Sequence, residues 1–488
     1  MAVTSVPQAA KAARILGAVL CTALLAACVP SPRAPLAVPR RTVPTFTTVR
    51  AALTHAGLHP GSWPATRWWR IFHDPKLSQL IHRGLAVSGT IKAALAHVRA
   101  ARAAYRLAAS ANGLSVAANG SIQRERASAT GLIPPPFAGH FFNYGTLGLN
   151  ARTDLAFWDR QHAAVKAALG DVAARQAQAA LLRLVVSTEI AERYWDFALA
   201  QSRVHTAQAF YRVRARIAGL LRSRYRAGVA SAIQAQNAQA ALAGARMRLR
   251  AAKTQLLGTR FALAALVGRG PRFAYQLLAP PPGRLPSLDF PRRISIDLLA
   301  RRPDIEVRYW EVKIAAAGRE KARARYYPDV SVDGALAYQS INLGTLIDPA
   351  NIAAAIGPAI NLPLFGSGAR RARLSRSRAR FDRAVDRYNA SIIAAVNQVA
   401  YALLALAGAR QEWREAEAQA RHAQRAFFLV KTRLHAGIVG TLSERRARLL
   451  LLAARQTEEE SRLRVLKALV AVIKNLGGGY HALNPGRA

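Results

Sequence analysis

The chain has 488 residues, of which 51% are hydrophobic and 20% charged, and its formal net charge is +44 at pH 7. The apolar half is enough to bury a large surface, and both cysteines, Cys21 and Cys28, lie near the start, which excludes a disulfide framework for the rest of the chain. The charge would suit a polyanion, but no aromatic and basic RNA motif or helix-turn-helix signature accompanies it. We therefore interpret the arginines as solvated helix faces and expect no nucleic-acid partner.

The first 27 residues have the pattern of a lipoprotein signal peptide. Lys11 and Arg14 precede an apolar run from Ile15 to Ala27 that is too short to anchor the chain stably across a bilayer. Its end, Leu-Ala-Ala-Cys28, resembles the lipobox of bacterial lipoproteins, in which cleavage occurs before a cysteine that receives a lipid. The resemblance implies lipidation of Cys28 and, since Val29 follows it, sorting to the outer membrane. The alternative is an ordinary signal peptide with a buried cysteine.

The next segments predict a tether and a short helical unit. Residues 30 to 64 are rich in Pro, Thr and Ala and lack periodicity, which indicates an extended tether. In the unit that follows, His73 beside Asp74 could suggest catalysis. No nucleophile or metal spacing accompanies the pair, so we interpret Asp74 as a helix cap before Pro75.

Two regions alternate apolar and polar residues as strands do. The first runs from about 113 to 153, interrupted by a proline-rich loop, and the second from about 329 to 363. Four strands cannot close a barrel, and a membrane strand has no water to satisfy unpaired backbone groups, so several chains must share one barrel. The alternative is the edge of a small soluble sheet.

Two long stretches, 159 to 270 and 364 to 484, contain no proline and are rich in Ala, Leu, Arg and Gln, which predicts very long helices. Each has one break, at Gly228 and Gly437, which are 209 positions apart. The terminal glycines Gly268 and Gly477 are separated by the same 209 positions. Equal offsets indicate an internal duplication of a long helical hairpin.

The predicted fold class is therefore mainly α with a small β part. Duplicated helical hairpins form an α-barrel, and four strands per chain contribute to a shared β-barrel. The expected domains are a signal peptide (1–27), a lipidated tether (28–64), a first repeat (65–270), a proline-rich connector (271–303), a second repeat (304–484) and a C-terminal tail (485–488).

Five motifs in this order resemble the outer-membrane factor (TolC-like) family, in particular its lipoprotein subgroup serving resistance-nodulation-division efflux pumps. They are the WxxFxDPxL-like segment from Trp69, DLAFWDR at 154–160, RRPDI at Arg301, Arg302, Pro303, Asp304 and Ile305, PLFGSG at 363–368 and NLGGGY around Gly477. Together they cover nearly the whole mature chain. The resemblance implies a homotrimeric channel with a twelve-stranded barrel and a periplasmic tunnel. It also implies an outer-membrane lipid environment, a periplasmic adaptor and an inner-membrane efflux pump as partners, and an architectural role for RRPD.

The resemblance also assigns roles to the two helical breaks. It implies that Arg224, Tyr225 and Gly228 in the first hairpin, and Arg433 and Gly437 in the second, form the tips that dock the adaptor. The same residues are helix caps on physical grounds, since a glycine after a basic turn suits a helix C-terminus.

The periplasmic entrance is expected just after the second tip. By resemblance, Leu442 stands where the family often has an apolar constriction residue, and Arg446 stands where an acidic ring residue is common. A ring of arginines would favour anions, which leads to the hypothesis of an anion-leaning gate. If the alignment is off by one turn, Arg446 is an outer-face charge.

No arrangement of residues suggests catalysis, a metal or a cofactor, and GGGY lacks the Lys and Ser/Thr of a phosphate loop. We expect the run from Glu458 to Glu460 to be a solvated face. The predicted function is the outer-membrane channel subunit of a tripartite efflux system. The alternatives are a lipid-anchored coiled-coil scaffold without a pore and a surface polyanion binder.

Overall fold

A computed structural model describes most of the chain after the predicted tether. It covers residues 59–61, 63–111, 113–131, 133–155, 157–278, 285–286, 289–291, 301–362 and 367–481. The chain divides into two compact units, each assembled from separate stretches. Unit 1 includes residues 99–172 and 310–386, and unit 2 includes residues 41–98, 173–309 and 387–488.

Long helices dominate the described residues. The helices are α1 (Pro75–Val87), α2 (Gly89–Ser110), α3 (Arg160–Arg226), α4 (Ala232–Leu266), α5 (Pro271–Gln276), α6 (Pro303–Ala324), α7 (Ser367–His435) and α8 (Thr441–Asn475). Helices α3 and α7 have 67 and 69 residues, and α4 and α8 have 35 each. The two halves of the chain thus repeat one long helix followed by one of half its length.

Unit 1 contains an antiparallel sheet of four strands. The strands are β2 (Ser115–Arg126), β3 (Phe141–Leu155), β5 (Asp329–Ser340) and β6 (Ile352–Asn361), in the order β2-β3-β5-β6. Leu149 pairs with Ala118 on one side and Leu336 on the other, which fixes the register of the central strands. Each of the two repeats thus contributes one pair of neighbouring strands.

Unit 2 contains the largest hydrophobic cluster of the described residues. The short strands β1 (His59–Gly61) and β4 (Asp289–Pro291) pair in parallel in this unit. The aromatic side chains of Trp68, Tyr194, Trp195 and Phe197 are almost completely buried in the cluster, together with leucines of α7 and α8 such as Leu403. Residues from both repeats therefore build one core.

The four ends of the hairpin helices share one backbone motif. Gly228 and Gly437 end α3 and α7 with φ of 70° and 72°, and Gly268 and Gly477 follow α4 and α8 with φ of 66° and 88°. After Gly228, the amide of Val229 donates to the Arg224 carbonyl at 2.8 Å, which is the bond pattern of a Schellman motif. The glycines predicted from the duplication are thus helix stops in a left-handed conformation.

The start of α1 confirms the structural interpretation of Asp74. Its Oδ1 accepts hydrogen bonds from the Lys76 and Leu77 amides at 2.9 and 3.1 Å, and Pro75 occupies the first helical position. Its Oδ2 accepts a 2.6 Å hydrogen bond from the Tyr194 hydroxyl. The buried carboxylate therefore fastens the first short helix of unit 2 to α3.

We expect Tyr194→Phe to lower the free energy of unfolding by about 1.5–3 kcal/mol, because a buried carboxylate loses one of its partners. Burial and the Asp74 carboxylate raise the pKa of Tyr194 above its ordinary value of 10.0. A phenol whose pKa is raised by folding contributes stability below its unfolded pKa, and this contribution is lost as pH rises above about 10. Thermal melts at several alkaline pH values should therefore show a smaller difference between the wild type and Tyr194→Phe at the highest pH. A constant difference would contradict this explanation.

RRPD lies in a buried junction of unit 2. Arg302 is 6% exposed, and its guanidinium donates to both Asp304 carboxylate oxygens at 3.1 and 2.7 Å and to Gln398 Oε1 at 2.7 Å. It also donates to the carbonyls of Ala395 and Asn475 at 3.4 and 3.1 Å. Arg302 thus joins the start of α6 to α7 and to the end of α8.

Gly477, Gly478 and Gly479 all have positive φ, which agrees with the interpretation of GGGY as a helix stop. The predicted class, mainly helical with duplicated hairpins and a four-stranded antiparallel part, is confirmed. The predictions for the signal peptide, Cys28, most of the tether, residues 363–366 of PLFGSG and the tail 485–488 lie outside the described residues. The predicted domain boundaries follow the repeat, not the two units, and stay predictions.

Candidate functional site: a two-faced sheet and two hairpin tips

The sheet of unit 1 has one predominantly apolar face. Its apolar and small residues are Val116, Ala118, Gly120 and Ile122 in β2, Leu147, Leu149, Ala151 and Leu155 in β3, Val330, Val332, Gly334, Leu336 and Tyr338 in β5, and Ile352, Ala354, Ile356, Pro358 and Ile360 in β6. Thr153 of β3, opposite Val332, is a polar residue within this face. Ile356 and Ile360 are 84% and 70% exposed in the protomer. An apolar surface of this extent marks contact with a membrane or a partner.

The opposite face carries polar residues that bond across the strands. Asn150 donates to Asn119 Oδ1 at 2.9 Å, and the Ser121 and Thr146 hydroxyls lie 2.9 Å apart. Arg152 forms an ion pair with Asp333 at 3.5 Å. The central part of β6 contributes only small residues to this face. A sheet with one apolar and one polar face has the alternation of a membrane barrel strand, in which the polar side lines the lumen.

The two outer strands leave the sheet open. Within the described part of the chain, β2 and β6 each pair with one neighbour only. Their remaining backbone donors and acceptors need strands from elsewhere, since unpaired groups are too costly in hydrocarbon. One chain is therefore an incomplete barrel.

Aromatic residues lie at both ends of the sheet. Trp158 and Tyr327, where the strands connect to the helices, stack with ring centroids 5.0 Å apart and planes at 11°. At the opposite end, Phe141 is 64% exposed. Aromatic belts of this kind mark the two interfaces of a membrane.

The structure places all five predicted tip residues at the ends of α3 and α7, in unit 2. Arg224 and Arg433 each supply the carbonyl that closes the Schellman turn. A Cβ at Gly228 or Gly437 would meet no other atom within 4 Å, so these glycines are required by backbone conformation alone.

Two tip residues were missed by sequence reasoning. Val229 and Ile438 directly follow the tip glycines and are 75% and 70% exposed. They are also 209 positions apart, so the duplication itself was the signal that could have identified them. Each tip thus presents one exposed β-branched apolar residue beside basic side chains.

Leu442 and Arg446 lie one turn apart near the start of α8. Leu442 is half-buried and packs against the cluster formed by Val213, Ile217 and their neighbours. Arg446 is exposed. The geometry brings them to adjacent positions of one helix, and their roles at an entrance stay predictions.

The prediction of a solvated face at Glu458–Glu460 was wrong, because all three residues are half-buried. Burial would raise the pKa of Glu460, but hydrogen bonds from Gln456 and Arg203, at 3.1 and 2.9 Å, hold it below its ordinary value. Burial raises the pKa of Glu458, and the Glu417 and Glu459 carboxylates add to this effect. Long-range partners such as Arg203 cannot be identified from the local sequence.

Helix α7 contains a stretch of 18 residues that by length and composition is apolar enough to cross a membrane, and 33% of this stretch is buried. Tyr401 and Leu404 of this helix are 74% and 64% exposed.

Among the residues that the structure describes, no group of three or more His, Cys, Asp or Glu side chains could hold a metal ion.

An open sheet with a lipid-compatible face, connected to long helical hairpins, defines a class of protein: a subunit of a membrane channel. Residues 80–269 and 295–478 match the family model described as outer membrane efflux protein. The chain belongs to the outer membrane efflux protein family.

Individual relatives cover most of the chain. Multidrug resistance outer membrane protein MdtP of Escherichia coli K12 is 30% identical over 443 residues, which cover 87% of this chain and 88% of the relative. The crystal structure of the outer membrane protein VceC from Vibrio cholerae is 30% identical with a TM-score of 0.77 and covers 86% of this chain and 100% of that one. The Campylobacter jejuni CmeC outer membrane channel, at 21% identity and a TM-score of 0.83, has the same fold over 94% of this chain and 97% of its own.

These comparisons confirm the predicted family, the efflux role and the location in the outer membrane. The family is one of transport proteins. Neither alternative function, a pore-free scaffold or a surface polyanion binder, explains why the chain matches an efflux family over most of its length.

Proposed function

We propose that three copies of this chain form one passive channel, which conducts small molecules from a periplasmic adaptor and an inner-membrane pump to the exterior. The open sheet carries this proposal. Its apolar face suits lipid, its polar face suits a lumen, and its two free edges, β2 and β6, suit pairing with sister strands. Three copies of a four-stranded sheet give the twelve-stranded barrel that the family resemblance implies.

The exposed apolar stretch of α7 supports the same assembly, because sister subunits would cover Tyr401 and Leu404. Lipidation of Cys28 would fasten the mature N-terminus to the membrane, at about 0.8 kcal/mol per buried methylene of each acyl chain. The exported compounds are proposed to include drugs, as the names of relatives such as MdtP suggest.

Purified full-length protein in planar bilayers tests the proposal. We expect a heat-labile trimer that gives discrete single-channel conductance. A monomer that becomes water-soluble when Cys28 is replaced, and that gives no conductance, would support a pore-free scaffold instead.

We expect Gly437→Ala to weaken adaptor docking and to sensitise cells that depend on this channel to exported drugs. The left-handed conformation costs a residue with a Cβ about 1–2 kcal/mol, which lowers the population of the closed tip turn by about 5- to 30-fold. Gly437→Asn is the matched control, since asparagine tolerates this conformation better. Equal drug susceptibility of the Ala and Asn variants would contradict a conformational role for the tip.

We expect Arg446→Ala to shift ion selectivity towards cations, because three arginines around an entrance favour anions. Reversal potentials in a salt gradient measure the shift. Arg448→Ala is the control, since Arg448 is also exposed on α8 but lies two residues on and therefore points to the opposite side of the helix. If cation preference is already clear and Arg446→Ala leaves it unchanged, Arg446 lies outside the gate.

A further inference from the structure

Two arginines extend the apolar face of β2 beyond its last apolar residue. Along this face Val116, Ala118, Gly120 and Ile122 are followed by Arg124 and Arg126. At about 3.3 Å per residue, these arginines lie about 7 and 13 Å past Ile122 along the strand. The polar headgroup layer on each side of the hydrocarbon core is about 5–8 Å thick, since the core measures about 30 Å and the whole bilayer about 40–45 Å. Because strands of membrane barrels are tilted by about 45°, Arg124 and Arg126 lie about 5 and 9 Å beyond Ile122 along the membrane normal, within this layer and at its outer boundary.

This end of the strand is the outer end of the sheet. The loops that close the two hairpins, 127–140 and 341–351, lie at this end, whereas the other ends of the strands lead to helices. Because the helices extend into the periplasm in the proposed channel, the hairpin loops face the exterior. The inference therefore rests on the proposed function.

Both guanidinium groups lie beside one aromatic ring. The Cζ atoms of Arg124 and Arg126 are 5.7 and 5.9 Å from the centroid of the Phe141 ring. Arg126 pairs with Phe141 across the strands, and its Nε donates to the Gly139 carbonyl at 3.3 Å. The ring and this hydrogen bond hold the two positive charges on the same side of the hairpin as the apolar residues.

Among the residues that the structure describes, no carboxylate neutralises these charges. Arg124 and Arg126 form no ion pair among the described residues, and Glu125 between them points to the polar face. The loop sequence from 127 to 140 contains no Asp or Glu. In the other hairpin loop, Asp348 accepts a 2.9 Å hydrogen bond from the Ala350 amide and caps a short helical turn.

We propose that Arg124 and Arg126, with Phe141, form a binding site for the phosphate groups of a phosphorylated glycolipid in the outer leaflet. Guanidinium groups match phosphate oxygens as paired donors, and the apolar residues below them suit the acyl chains of the same lipid. The apolar face of the sheet, the Phe141 ring and the two arginines without ion pairs together favour a lipid over a free anion, because a free anion has no acyl chains to contact the apolar face.

The test uses purified trimer in phosphatidylethanolamine nanodiscs with or without bisphosphorylated lipid A. One basic residue near an anionic lipid surface changes affinity by about fivefold, so Arg124→Gln with Arg126→Gln should lower lipid A retention by about 25-fold. Native mass spectrometry counts the retained lipid, and dephosphorylated lipid A should not be retained by the wild type. Inorganic phosphate should compete poorly.

Arg246→Gln with Arg250→Gln is the charge-matched control, since both arginines are exposed on α4. This variant should retain lipid A like the wild type. Arg124→Lys with Arg126→Lys keeps the charge but loses the guanidinium geometry, so this variant should retain an intermediate amount of lipid A. Because the lysine variant is compared directly with the wild type, the proposal can still be tested if the glutamine variant does not assemble. Equal retention of lipid A by wild type and the Gln variant, or equal retention of the dephosphorylated lipid, would overturn the inference. If conductance persists in that case, the proposed channel function stands.

Discussion

Gly477→Ala should lower the free energy of unfolding by on the order of 4 kcal/mol and strongly reduce the yield of trimer. The backbone at Gly477 has φ of 88°, and a Cβ there would lie far inside van der Waals distance of the Arg301 carbonyl oxygen. That oxygen belongs to the backbone directly before the buried Arg302, so it cannot move without disturbing the junction between α6 and α8. Thermal melts and semi-native electrophoresis measure the loss.

The duplication supplies the controls for this experiment. Gly268 is the equivalent position of the first repeat, but its added Cβ would meet the side chain of Val87, which is 40% exposed and can change rotamer. Gly258 within α4 has no atom within 4 Å of an added Cβ, so Gly258→Ala should be neutral or stabilising by up to about 1 kcal/mol. The loss of unfolding free energy on substitution by alanine should therefore be largest at Gly477, smaller at Gly268 and absent at Gly258. A melting temperature of Gly477→Ala equal to that of Gly268→Ala would show that the Arg301 contact is not the cause.

Arg302→Met should cost about 3–5 kcal/mol, because it removes the donor of five hydrogen bonds from a buried junction and leaves carbonyls of Ala395 and Asn475 facing an apolar chain. Arg302→Lys should lower the free energy of unfolding by less than Arg302→Met. It should still be destabilising, because a lysine ammonium lacks the planar set of N–H groups that donates to Asp304 and Gln398 at the same time. Urea unfolding of the three proteins measures the differences.

The neighbouring arginine is the control. Arg301 places its guanidinium 5.1 Å from the centroid of the Trp63 ring, a contact worth about 0.5–1 kcal/mol. Arg301→Met should therefore lower the free energy of unfolding several-fold less than Arg302→Met, although both substitutions replace an arginine and the two positions are adjacent. Similar costs would mean that the buried hydrogen bonds of Arg302 contribute little net stability.

Much of the fold follows from local features of the sequence. The absence of proline predicted the long helices, and paired glycines predicted their ends, since a left-handed residue after a basic turn is a local requirement. Alternation in segments such as 330–338 predicted the strands and the two faces of the sheet, because side chains of a strand alternate by geometry alone.

The rest depends on contacts between distant residues. Nothing near Asp74 in the sequence identifies Tyr194 as its partner, and nothing near Arg302 identifies Asn475 as its acceptor. The pairing of Glu460 with Arg203 likewise arises from packing between helices of different repeats, and it reversed the prediction of a solvated face. Val229 and Ile438 could have been found, because the 209-residue offset applies to them as well.

The open edges of β2 and β6 have a consequence for biogenesis. A newly secreted protomer would expose both edges and an apolar surface to the aqueous periplasm, where such strands aggregate or are degraded. In the proposed channel, ordering of the sheet must therefore coincide with oligomerisation at the membrane. The yield of functional protein should then depend steeply on the concentration of newly secreted chains relative to the rate of their proteolysis.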